Sequence, residues 1–94
     1  MAVIGKVNKQ PADRIDYDID CSDLVSGGDS VASVAAPVVT PTGLDVSAFV
    51  TATDTVKLWF DNGATGTSYK VEITVTTTLG RVKQDEIIVK VKDI

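Results

Sequence analysis

Asp13, Asp16, Asp18, Asp20, Asp23 and Asp29 crowd six of the chain's 13 acidic residues into one short stretch. Carboxylates at Asp16-x-Asp18-x-Asp20 invite a calcium-loop reading, because hard cations bind several carboxylate oxygens at once. The loop template then fails: Cys21 stands where the sharp turn needs glycine, and Gly27 stands where a bidentate glutamate should be. On a strand, the same three aspartates instead form one solvated row, spaced about 6.6–6.8 Å apart. Such a row discourages pairing between strand edges, or steers a basic partner surface. No metal site is expected.

Other chemistry fares no better. The sequence has no histidine, which removes the commonest general base and zinc ligand and any serine triad of the usual kind. Paired carboxylates need a pocket that separates their pKa values, and a chain of 94 residues offers little concavity. Cys21, the only cysteine, falls on the apolar side of its segment, where a thiol is an inert small hydrophobe, and it has no partner for an internal disulfide. The glycines at 63 and 66 fit no phosphate-binding pattern. The chain is expected to hold no cofactor and no catalytic residue.

Composition narrows the partners. A formal net charge of -4 argues against nucleic acid, which needs clustered lysine and arginine. No apolar stretch approaches the ~20 residues that cross a bilayer, and the N-terminus lacks the apolar core of a signal peptide. The chain reads as made in the cytoplasm, with no membrane partner.

The elements follow from side-chain type and period. Val, Ile and Thr number 15, 7 and 11 of the 94 residues, a β-branched excess that favours pleated strands over helices. Ile15, Tyr17, Ile19 and Cys21 alternate with Asp16, Asp18, Asp20 and Ser22, and the same two-residue period recurs at Leu44–Val50, Tyr69–Val75 and Ile87–Val91. Turn residues separate the runs, at Ser26-Gly27-Gly28-Asp29, Pro41-Thr42-Gly43, Asp61-Asn62-Gly63 and Leu79-Gly80. The spacing predicts an all-β, antiparallel β-sandwich of about seven strands, immunoglobulin-like or fibronectin III-like. Gly66-Thr67-Ser68-Tyr69 places a tyrosine just after a turn and at the start of the penultimate strand, as in a tyrosine corner, where the phenol bonds back to nearby backbone. Tyr69, Gly66 and Gly80 therefore specify the fold. Residues 1–10 form an arm or an edge strand, and residues 11–94 the sandwich domain.

Two positions bear on partners. Trp59 ends the run Val56-Lys57-Leu58-Trp59-Phe60, apolar on both faces there, so it enters the core, the commoner fate of tryptophan, or meets a partner. Ile88 poses the same question beside Ile87 and Val89. Trp59, Ile88, Asp16, Asp18 and Asp20 are the interface candidates.

The ordered segments Lys9-x-Pro11-x-Asp13-x-x-Asp16-Tyr17-x-Ile19-Asp20-x-Ser22, Gly28-Asp29-Ser30-Val31-Ala32, Gly43-Leu44, Leu58-Trp59-Phe60-x-x-Gly63-x-x-Gly66-Thr67-x-Tyr69-x-Val71 and Val75-x-Thr77-x-x-Gly80-Arg81 carry a resemblance. In them the chain resembles small immunoglobulin-like virion proteins of tailed bacteriophages, the phage fibre–tail adaptor family. It departs from that family at Cys21 and near Ala36, where relatives often carry tryptophan. The resemblance implies a non-enzymatic structural protein of the virion, an adaptor between tail or neck and fibre. Its partners would be other phage structural proteins and copies of itself in a symmetric assembly. A capsid decoration or cement protein, and a carbohydrate- or host-surface-binding module, are the alternative expectations.

Overall fold

Alternation of apolar and polar side chains drives most of the chain into strands. The structure, a computed structural model, describes residues 2–93. Its eight strands are β1 (Ala2–Lys9), β2 (Ile15–Asp20), β3 (Val31–Val34), β4 (Val38–Thr40), β5 (Leu44–Ala52), β6 (Thr55–Asn62), β7 (Thr67–Thr77) and β8 (Val82–Val91). One sheet runs β2-β6-β5. The other runs β1-β8-β7-β3, with β4 also on β7. Met1 and Ile94, the outer ends of the two predicted spans, lie outside the described residues.

The count of eight against about seven has a local cause. β3 and β4 both pair with β7, at Val75–Thr77 and Lys70–Glu72, and so share one position in the sheet. Between them, Pro37 has no N–H to give to a ladder, and Ala35 N–H keeps a single bond to Thr74 O at 2.9 Å. One ladder also departs from the antiparallel expectation: β1 runs parallel to β8, from Ala2 beside Asp85 to Lys9 beside Val91. The reason is the crossover at Gln10–Asp13. The chain leaves one sheet at Lys9 and enters the other at Ile15, so β1 and β2 never form a hairpin.

Lys9 fixes that crossover. It is only 4% exposed, and its ammonium donates to the carbonyls of Gln10, Pro11 and Asn62, one for each of its three protons. Asp13 closes the turn by accepting from Gln10 N–H at 3.0 Å.

Between the sheets lie Ile19, Leu44, Val56, Leu58 and Phe60 from one side and Tyr69, Val71, Ile73, Val75, Ile87, Val89 and Val91 from the other. Each such side chain contributes about 1.5–3 kcal/mol on burial. Tyr69 is 1% exposed and accepts a hydrogen bond from Ala64 N–H at 2.8 Å, the contact a tyrosine corner makes. Gly63 makes room for this corner. Its φ is 102°, and a Cβ there would stand 2.8 Å from Val91 Cγ2 and 3.5 Å from the Tyr69 ring. Gly66 N–H donates to Val91 O at 2.8 Å, and Gly80 N–H donates to Thr77 O at 3.0 Å at the tip of the β7–β8 hairpin.

Candidate docking surfaces

The β2-β6-β5 sheet has a core face and an outward face, and register decides what meets on the latter. Asp16 stands opposite Trp59, which stands opposite Ser47; Asp18 stands opposite Lys57, which stands opposite Phe49. Trp59 is therefore outward and half-buried, because Val56, Leu58 and Phe60 take the core positions of β6. The Arg14 guanidinium lies over its ring, 4.4 Å from the centroid, and Lys57 Nζ approaches to 6.0 Å. Arg14 is also 3.7 Å from Asp61. Cation and ring attract through the ring's quadrupole, by about 0.5–1 kcal/mol at an exposed site. Phe49, 52% exposed, extends the aromatic surface on the neighbouring strand.

The aspartates are exposed, but they are not a free row. Lys57 Nζ sits 3.2 Å from Asp16 and 3.8 Å from Asp18, and Asp20 accepts from Ser22 N–H at 2.9 Å. The backbone and side-chain bonds of Ser22 hold the Asp20 carboxyl below its usual range. The structure brings Asp16, Asp18, Lys57, Trp59, Arg14 and Phe49 together on one face, with Asp20 at the end toward Cys21.

Ile88 lies elsewhere, on the outward face of the other sheet. It is half-buried, with Lys6 of β1 and Lys70 of β7 as its cross-strand neighbours. Lys70 in turn lies 3.4 Å from Glu72 and 3.9 Å from Glu86. Ile88 and Trp59 thus occupy opposite sides of the sandwich and do not form a single patch.

Spacing gave no sign of a second cluster. Asp29 has a fully buried side chain; its Oδ1 accepts from Ser30 N–H at 2.8 Å and Leu79 N–H at 3.0 Å, and its Oδ2 lies 3.7 Å from Arg81 Nη1. Arg81 donates to Leu24 O and Ser26 O at 2.7 and 2.9 Å. The Ser26–Asp29 turn and the hairpin tip are thereby locked together, with Leu79 and Val82 held out at 66% and 63% exposure. Cys21 is buried below this region, and burial first, then the charges of Asp20, Asp85 and Asp54, push its thiol pKa up. No group of three or more acidic or thiol side chains among the described residues is arranged to hold a metal ion.

The motifs that order these contacts match one known family. The profile described as podophage GP4 fiber-tail adaptor protein gp77 covers residues 9–90. The chain belongs to that family. No curated protein matches it. The residues that carried the resemblance now have physical roles: Lys9 and Asp13 shape the crossover, Gly63 and Tyr69 build the corner, and Asp29 pairs with Arg81. A fiber-tail adaptor is a structural component of the phage particle, so it acts through its surfaces upon other phage structural proteins. The sandwich carries a cationic-aromatic face, an acidic edge and a stiffened hairpin tip.

Proposed function

We propose that this fiber-tail adaptor is a passive joint that docks through the outward face of β2-β6-β5, copies of it standing in a symmetric assembly. Trp59 carries the proposal. A tryptophan on an outward sheet face, fixed beneath Arg14 and flanked by exposed Phe49, is a pre-oriented anchor of the kind that dominates protein interfaces. Asp16 and Asp18, paired with Lys57, surround it with polar groups that give register and reject like-charged neighbours. Particles are symmetric, so each copy presents the same face to an equivalent neighbour. On this reading the protein is made in the host cytoplasm, resides in the virion, catalyses nothing and does not contact nucleic acid, in keeping with its net charge of -4.

A sugar platform on the same ring is disfavoured, because Arg14 already occupies one face of the indole. The test is complementation of phage lacking the gene with Trp59→Ala or Phe49→Ala, followed by mass spectrometry of purified particles. Loss of a central aromatic anchor weakens docking by about 2 kcal/mol or more, roughly thirty-fold. Particles should then be depleted of fibre or of the adaptor itself, while the free variant stays folded. Normal stoichiometry in both variants would place the docking surface elsewhere.

A further inference from the structure

Asp85 breaks the rule that builds the rest of β8. From Asp85 onward the odd-numbered positions of that strand face the core, and Ile87, Val89 and Val91 fill three of them with apolar side chains. The first of the series is a carboxylate, opposite Ile73 of β7. Asp85 is 9% exposed, its Oδ1 is buried, and no hydrogen-bond donor reaches that oxygen among the described residues. Lys83 Nζ lies 3.8 Å away, on a side chain that is 54% exposed. A buried carboxylate so loosely compensated costs stability, and removing its charge would cost nothing in packing.

Asp85 lines a cleft of about 420 Å³ between β8 and the outer edge of β2. Asp18, Asp20 and Asp23 line it too, and Lys83 is the one cation there among the described residues. The backbone of β2 completes the surface. Cys21 N–H donates to Asp54 O at 2.7 Å, which sets the odd-numbered peptide groups of β2 toward β6. By the two-residue period, the peptide groups of Asp16, Asp18 and Asp20 face the other way. β2 ends its sheet, with β6 as its neighbour, so those groups have no ladder partner among the described residues.

We infer that this cleft receives an arginine from an extended segment of a partner protein, the segment adding along the free edge of β2 and its guanidinium entering beside Asp85. Strand addition satisfies the unpaired peptide groups, and alternate side chains of the incoming strand then point toward the cleft. A guanidinium offers five donors in a planar fork and is weakly hydrated, which suits a half-enclosed carboxylate better than an ammonium does. A divalent cation is the poorer occupant, since the acids do not converge on one point. The aspartates along β2 add selectivity, because an acidic segment would meet like charges along the whole edge. The inference rests on the adaptor reading for the existence of a partner and adds the chemistry of its contact.

The full-length protein, labelled with nitrogen-15, is titrated with the capped peptide Thr-Val-Arg-Val-Thr and with a twin carrying citrulline in place of arginine. The arginine peptide should shift the amides of residues 16–22 and 83–87 and bind about ten-fold more tightly than its twin. Asp85→Asn should abolish that preference while raising the Tm of the free protein. A merely structural Asp85 would instead lower Tm on substitution and leave the preference intact. Lys83→Gln, which removes the competing cation, should tighten binding of the arginine peptide and keeps the test available if the Asp85 variant fails to fold. Equal binding of the two peptides, shifts confined to other residues, or the same shifts produced by calcium chloride alone would each overturn the inference. Particle composition separates the two readings: a wild-type chain missing from virions ends the adaptor role, whereas a resident chain without arginine preference ends only this one.

Discussion

At the scale of single residues, the phenol of Tyr69 joins the core to the loop that feeds β7. Replacing it with phenylalanine keeps the ring and removes the partner of the part-buried Ala64 N–H, a loss of about 0.5–1.5 kcal/mol. Urea unfolding of Tyr69→Phe should show that loss as a lower midpoint with an unchanged slope; an unshifted midpoint would mean that water replaces the phenol. This residue was legible in the sequence, because the turn glycine at 66 and the strand that follows fix both its place and its direction. Trp59 was half legible. Its alternation with Leu58 and Phe60 puts it on the opposite face from them, but Arg14, which covers its ring, comes from the segment leading into β2 and meets it only through register. Asp85 was hidden altogether, because an acid beside Glu86 reads as strand-end polarity until the phase of Ile87, Val89 and Val91 is carried back one step.

At the scale of elements, four long strands announce themselves by period two, while the pairings between distant segments do not. Nothing in the spacing shows that β1 lies parallel to β8, or that Asp29 meets Arg81 across the loops. The Asp29 carboxylate itself gives the hairpin an acid response. Burial pushes the Asp29 carboxyl up, but the nearby Thr77 hydroxyl, the N–H groups of Ser30 and Leu79, and Arg81 pull it down by more, so it sits below the ordinary value. The unfolded chain therefore binds this proton more readily than the folded one, and stability rises with pH through the acid range. The contribution is complete above the unfolded carboxylate value of ~3.9 and vanishes as pH falls through the lower folded value. Asp20, lowered by Ser22, acts in the same direction. Urea titrations from about pH 5 to pH 2 should show wild type losing stability more steeply than Asp29→Asn. Parallel curves would mean that ionisation of Asp29 contributes nothing to folding.

At the scale of the whole molecule, the question is why a protein built to join others need not join itself in solution. The exposed large apolar side chains among the described residues are dispersed: Phe49 on one outward face, Val38 at the edge of the other sheet, Leu79 and Val82 at the hairpin tip, and Val50 on β5. Stable interfaces bury about 800 Å² on each partner, with an apolar centre, and no one of these positions anchors such an area alone. The free edges are guarded as well. β2 carries its aspartates, and β1 presents the exposed Lys6. A net charge of -4 adds a weak mutual repulsion between copies. On the proposed reading, docking through the β2-β6-β5 face is reinforced where a larger assembly presents further contacts, each raising the effective concentration of the next. The isolated chain should therefore sediment as a monomer of 9.9 kDa at micromolar concentration. Raising the salt screens the repulsion and should produce at most weak self-association. A stable dimer under these conditions would require one continuous self-complementary interface and would overturn the expectation of a monomer.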